Sequence, residues 1–362
     1  MKRIFLLLLC VLAGCSQPES LRIGFVGGLT GRFADLGEAG RNGVQLAVEE
    51  RNQAGGVNGR QIELLIRDDM QDAVQAEKIT REFLSLKVEA IIGPMTSAMT
   101  DAVLVPATEA GIVVISPTVT ARQYYRRDDQ IFLIMPSTTE LARFTAEYQF
   151  KQKNVRRVFV LYDQRNRSYT ESWLTDFSTA MKVLGGSVQA RAFDSGQNPD
   201  QVKLAEDVVK EKPDALLILA SAVDTARLAQ HVRAYDSKLP MLASMWSATE
   251  RLIELGGQAV EGVTLNLTFD RSSRAPAYLE FQRRYRERFR QEPGFAEVAG
   301  YDAAVAAFEA IERRAKGQTL KDSLLKNGPF SGAQGKFAFD AYGDTQRQPR
   351  MLQVQGGQFV NV

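Results

Sequence analysis

Residues 21–69, LRIGFVGGLTGRFADLGEAGRNGVQLAVEERNQAGGVNGRQIELLIRDD, decide the fold. A short apolar strand, predicted over Arg22–Val26, runs into the glycine-rich turn Gly27–Gly31. A helix is predicted over Leu36–Asn52, and the Asn58-Gly59 turn leads into a second strand over Gln61–Arg67. On the helix, Gly40, Gly43, Val44, Ala47 and Val48 form one stripe, whose small residues allow close packing on a sheet. Strand, helix and strand in this order predict a βαβ unit with parallel strands.

The pattern continues on the C-terminal side. Further strands are predicted over Ala90–Ile92, Ile112–Ile115, Arg157–Tyr162, Ala215–Ala220 and Val263–Leu267. Several are apolar without alternation, as expected of strands covered by helices on both faces. One strand and helix series runs from Leu21 to about Pro136 and a second from Arg156 to about Leu267, which predicts two consecutive doubly wound units. Two long helical patterns follow, Ala275–Arg290 and Phe295–Lys316, then hairpin-like runs around Gly335–Phe339 and Met351–Val354. These hold too few strands for a third sheet and are expected to return and complete the first two units.

The length of 362 residues suits two domains or two lobes, each large enough for its own core. Apolar residues make up 44% and charged residues 24%, with 12 Pro and 28 Gly, which excludes a disordered, collagen-like or disulfide-scaffold chain. On the N-terminal side, Lys2 and Arg3 precede an apolar run from Ile4 to Ala13, too short to span a bilayer but right for an export leader. The run ends in Leu12-Ala13-Gly14-Cys15, which resembles the bacterial lipoprotein box and predicts lipidation of Cys15. The other cysteine, Cys10, lies inside the leader, so no disulfide partner would remain. Residues 1–14 therefore read as a signal peptide and 15–20 as a polar tether. Removing Lys2 and Arg3 with the leader takes the 45 basic residues to 43, equal to the 43 acidic ones. Near-neutral charge argues against a nucleic-acid partner.

Several chemistries lack their residues. With no mature Cys and one His, no zinc, HExxH or iron–sulfur site can be assembled, and no cofactor is expected. His231 lies in a helical run and reads as a packing or surface residue. The Gly27–Gly31 turn has neither a GxGxxG nor a GxxxxGK register, so it reads as a place where backbones approach rather than a phosphate cradle. No GxSxG elbow occurs. The arginines between Arg283 and Arg290 alternate with Glu280 and Glu287, while Tyr278, Phe281, Tyr285 and Phe289 recur at helical spacing, which makes a core-facing stripe with a solvated back. Arg122, Arg126 and Arg127, beside Tyr124 and Tyr125, are followed at once by Asp128 and Asp129, and also read as surface. No catalytic set emerges, so the chain is not expected to be an enzyme.

In an open α/β sheet a ligand sits beyond the carboxyl ends of the strands. The strand Ala90–Ile92 ends in Gly93-Pro94-Met95-Thr96-Ser97, with a helix predicted from Ser97 or Ala98. Ser97 is either a ligand hydroxyl at a helix amino terminus or a plain N-cap. The next strand ends in Ser116-Pro117-Thr118-Val119-Thr120, which offers further hydroxyls at the adjacent edge. Together they suggest a carboxylate clamp.

The stretch IGFVGGLTGRFADLGEAGRNGVQLAVEERNQAGGVNGRQIELLIRDD, followed by IIGPMTSAMTDAV, GIVVISPTVTA, VEGV and GYDAA in that order, resembles the leucine/isoleucine/valine-binding protein family. These are type I periplasmic binding proteins that serve ABC importers of branched-chain amino acids. The resemblance implies an α/β fold of two Rossmann-like lobes joined by three hinge crossings, near Pro136, Asn266 and Thr345. It places residues 21–136 and 267–345 in the first lobe, and 137–266 and 346–362 in the second. It implies ligand carboxylate contacts at Ser97, Thr118 through its backbone, and Thr120. It also puts a second-lobe aromatic at Tyr169, a replaced tyrosine at Ser221, and a first-loop apolar contact at Leu36. The glutamate that meets a ligand ammonium in the amino-acid binders falls near Met245 or Trp246, neither charged. The ligand then either lacks that group or finds another acid, for which Asp302 is the candidate, its alternative being a helix-surface or capping carboxylate. The implied function is an extracytoplasmic, lipid-anchored receptor that hands an amino acid or related carboxylate to a membrane permease. A ligand-sensing or cell-wall-synthase-activating lipoprotein of the same fold is the alternative.

Overall fold

In the first sheet of the computed structural model, which describes residues 19–362, five parallel strands lie in the order β2-β1-β3-β4-β5. They are β1 (Leu21–Gly27), β2 (Ile62–Asp68), β3 (Ala90–Ile92), β4 (Val113–Ser116) and β5 (Ile131–Leu133). The leader, Cys10, Cys15 and most of the tether lie outside the described residues. Between the strands run α1 (Ala34–Gln53), α2 (Ala73–Ser85) and α3 (Thr100–Glu109). The continuous apolar strands are explained by two separate cores. Ile23, Phe25, Ile92 and Ile115 belong to one core, while Val26, Ile91 and Val114 belong to the other, so neighbours along each strand point to opposite, equally covered faces.

The second sheet has the order β14-β13-β10-β9-β8-β6-β7. Its parallel part is β6 (Arg157–Asp163), β7 (Ser187–Phe193), β8 (Ala215–Leu219), β9 (Met241–Ala243) and β10 (Thr264–Leu267), with helices α4 (Thr138–Gln152), α5 (Arg167–Leu184), α6 (Gln201–Lys210), α7 (Ala222–Tyr235) and α8 (Glu250–Gly256). The chain then returns to the first lobe as α9 (Pro276–Phe289), α10 (Phe295–Arg313), α11 (Leu320–Lys326) and a hairpin of β11 (Phe330–Gly332) and β12 (Gly335–Phe337). Finally β13 (Arg350–Gln355) joins β10 antiparallel and turns into β14 (Gln358–Asn361). The two orphan runs of the sequence thus complete the two lobes. On α9, Tyr278, Phe281 and Tyr285 face the core while Arg283 pairs with Glu280 and Glu287 in solvent.

Three passages connect the lobes: β5 to α4, β10 to α9, and β12 to β13. They run side by side. Leu133 bridges to Asp344, the Thr345 hydroxyl donates to the Ile134 carbonyl at 2.6 Å, and the Thr268 hydroxyl donates to the Met135 sulfur at 3.2 Å.

Two local expectations are corrected. The small-residue stripe of α1 makes its closest approach to α10 and not to the sheet, whose core its Val44, Ala47 and Val48 share: a Cβ at Gly43 would lie 1.9 Å from the Glu297 carbonyl, and one at Gly300 would lie 2.2 Å from that of Gly40. Glycine is required because the two backbones touch. The helix after β3 starts later than predicted. Residues 97–99 form a short 3₁₀ turn and α3 begins at Thr100. The glycine turn behaves as read, since a Cβ at Gly37 would lie 1.9 Å from the Gly28 carbonyl.

Candidate functional site

The carboxyl ends of β1, β3 and β4 in the first lobe face those of β6, β8 and β9 in the second. Between them lies an inner pocket. The first lobe supplies Leu36, Met95, Thr96, Ser97, Thr118 and Phe295, and the second supplies Asn166, Tyr169, Met245 and Trp246. Its cavity is only about 10 Å³, room for about one water. The protein's own side chains fill the rest: Trp246 stacks on Phe33 with ring centroids 5.5 Å apart, and Tyr169 meets Trp246 edge-on at 6.0 Å.

The lobes are held shut by named contacts. Arg32, just after the glycine turn, pairs with Asp224 in the first turn of α7, and the Thr249 hydroxyl donates to Asp35 at 2.5 Å. The Ala98 amide donates to the Asn166 side-chain oxygen at 3.0 Å, and Arg122 pairs with Asp176 at 2.9 Å. Asp224 is fully buried and also accepts from the Ser221 hydroxyl at 2.7 Å.

The hydroxyls at the strand ends have distinct tasks. Ser97 does not cap its helix. Its oxygen accepts from the amides of Thr120 at 3.4 Å and Ala121 at 3.3 Å, which ties the loop after β3 to the loop after β4. Thr118 donates to the Met95 carbonyl at 2.5 Å. The hydroxyls of Thr120, Tyr169 and Ser244 are buried with no well-aligned hydrogen-bond partner, although Tyr169 lies close to the Ser244 hydroxyl and the Trp246 backbone. Burial pushes the Tyr169 phenol above its ordinary range, so it stays a neutral donor. Buried donors without partners are costly unless something arrives to accept from them.

Leu36, Ser97, Thr118, Tyr169 and Trp246 all stand on the pocket wall. Thr120 lies beside Ser97, one contact back. Ser221 caps α7 next to Asp224 and is not on the wall, because its hydroxyl is turned into its own helix. Asp302 is not brought to the pocket and is neither a surface nor a capping group. It is 1% exposed, paired with Arg347 at 2.7 Å, and accepts from the Ala333 amide at 2.7 Å. Its carboxylate is already satisfied. No charged side chain lines the inner pocket.

Asn166, Met95, Phe33 and Phe295 were missed. Asn166 looks like an N-cap for α5 in the sequence, yet its side chain makes no cap and crosses to the other lobe instead. Phe295 opens α10 and also lines a second, larger cavity of about 580 Å³ between the lobes. Among the described residues no cluster suits a metal ion, and no helix is long and apolar enough to cross a membrane.

A family model described as periplasmic binding protein matches residues 20–358. Among curated relatives, the Leu/Ile/Val-binding protein homolog 2 of Brucella abortus is 24% identical, covering 95% of this chain and 93% of that protein. Among solved structures, the leucine-binding protein LivK of Thermotoga maritima superposes with a TM-score of 0.87 at 25% identity, covering 94% of this chain and 97% of that one. The solute-binding protein of an ABC transporter from R. palustris, in complex with benzoate, superposes with a TM-score of 0.84 at 19% identity, covering 95% of both chains.

Proposed function

Since this chain belongs to the periplasmic binding protein family, we propose that it captures a small carboxylate lacking an α-ammonium group and delivers it to an ABC permease, tethered to the membrane through lipidated Cys15. Residues 21–136 and 267–345 act as one jaw and 137–266 and 346–362 as the other, moving about the three crossings. The observation that carries the reading is the makeup of the inner pocket: a wall of hydroxyls and one backbone amide from the strand ends, aromatic side chains from both lobes, and no acid.

An α-ammonium closed into such a pocket would lose its hydration with no carboxylate to meet it, at a cost of several kcal/mol. A carboxylate has donors waiting. With the lobes parted, it takes the place of the Asn166 oxygen on the Ala98 amide and accepts from Ser97 and Thr120, and each bond to a charged acceptor is about twice as strong as the neutral one it replaces. Leu36, Tyr169 and Trp246 then enclose the apolar part. Micromolar capture requires about 8 kcal/mol, within reach of these contacts. The R. palustris neighbour with benzoate in its complex shows that this fold accommodates an aromatic acid without an ammonium group.

Calorimetry with benzoate and with leucine tests the reading. Benzoate is expected to bind and leucine to bind at least tenfold more weakly. The Ser97→Ala/Thr120→Ala variant is expected to lose at least tenfold in benzoate affinity. Unchanged affinity in that variant, or leucine as the tighter ligand, refutes the carboxylate site.

A further inference from the structure

The second cavity lies between the same two lobes, and at about 580 Å³ it has the volume of a small-molecule site. Phe295 lines both it and the inner pocket. Its first-lobe wall is the start of α1 and residues 291–297, and its second-lobe wall is residues 248–254. The arginines there are already engaged, Arg32 with Asp224 and Arg251 with Glu254. Glu250 pairs with Arg271, and Glu292 with Arg286.

Three carboxylates on the wall, Asp35, Glu38 and Glu297, have no ion pair among the described residues. Asp35 accepts from Thr249, and Glu297 from the Gly294 amide at 2.9 Å, both neutral donors. Burial pushes Asp35 above the usual carboxylate range and Glu297 up to about 7, and the nearby Arg251 and Arg271, neither in ion-pair contact with them, offset this only in part. In the inner pocket, Tyr169 is 3% exposed and its hydroxyl has no well-aligned hydrogen-bond partner.

We propose that the solute is an extended zwitterion. Its carboxylate lies among the inner hydroxyls, its methylene chain packs on Phe295, and a primary ammonium at the far end sits against Asp35, Glu38 and Glu297. This rests on the inner pocket being the carboxylate site. The separation of the two charges follows from where the donors and the acids are: the inner pocket has no acid, and the outer cavity has unpaired ones on the far side of one shared aromatic ring.

Three probes with the same six-carbon acid chain decide it in calorimetry: hexanoate, 2-aminohexanoate and 6-aminohexanoate. The expected order has 6-aminohexanoate at least tenfold tighter than hexanoate, and 2-aminohexanoate no tighter than hexanoate. Asp35→Asn, which keeps the acceptor for Thr249, is expected to weaken 6-aminohexanoate at least fivefold. Exposed Glu38→Gln, which cannot disturb folding, is expected to weaken it in the same direction. Hexanoate binding as tightly as 6-aminohexanoate, or the two variants leaving its affinity unchanged, overturns the zwitterion and leaves the carboxylate site standing. Failure of benzoate and all three probes to bind overturns both, as does 2-aminohexanoate binding tightest.

Discussion

Arg32→Met tests whether the protein's own charges help to shut the jaws. Asp224 is 0% exposed, and the Arg32 side chain is 24% exposed. Removing one member of a fully buried pair costs about 3–5 kcal/mol. The partial exposure of Arg32 and the surviving hydrogen bond from Ser221 to Asp224 reduce this to about 2–3 kcal/mol. The penalty falls on the closed form alone, because the partners come from different lobes and opening returns Asp224 to water. A ligand that requires closure then loses affinity by up to about 30- to 150-fold. The assay is calorimetry with benzoate, which does not reach the outer acids, together with the X-ray scattering of the ligand-free protein. The radius of gyration should rise in Arg32→Met and fall back when Asp224→Asn is added, since a neutral amide needs no cation. A benzoate affinity within twofold of the parent with an unchanged scattering curve, or a double variant as impaired as the single one, refutes the latch.

Two stability predictions follow from buried groups in the first lobe. Asp69 is 1% exposed with one carboxylate oxygen unpartnered, and burial pushes its pKa up to about 6, with Asp68 and Asp72 adding to it. A carboxyl raised in the folded state favours folding when protonated, so stability falls as pH rises from about 4 to about 6 and stays lower above. Asp69→Asn keeps the acceptor for the Gln71 amide and should gain up to about 3 kcal/mol at pH 7.5, with a much smaller gain at pH 4. Thermal melts at both pH values check this, and an equal gain at both would contradict it. Gly43→Ala places a methyl 1.9 Å from the Glu297 carbonyl and should cost about 3 kcal/mol in urea unfolding; a loss below about 1 kcal/mol would mean that α1 and α10 are not in backbone contact.

The elements that could be read were those with strong local patterning. The predicted strands Arg22–Val26, Ala90–Ile92 and Arg157–Tyr162 fall on observed strands because each is apolar on both faces. The missed ones carried weaker signals. β7 is an edge strand whose residues are mostly exposed or half-buried, while β5 and β9 are three residues long. At the site, Ser97 and Thr118 could be named because strand ends mark where a cleft must be, whereas Leu36, Tyr169 and Trp246 came only through the family resemblance. Phe33, Asn166 and Phe295 could not, since each looks like an ordinary helix-start residue until the opposite lobe is present.

The order of apolar runs, turns and helical stripes determined that two doubly wound lobes would form, because hydrophobic periodicity acts within a few residues of itself. Tertiary structure alone decided what each polar side chain meets. It gave Asp302 to Arg347 and Asp224 to Arg32, and left Asp35, Glu38 and Glu297 without an ion pair among the described residues. These pairings join residues up to 192 positions apart, and a carboxylate's partner is set by distance in space, on which local sequence has no hold.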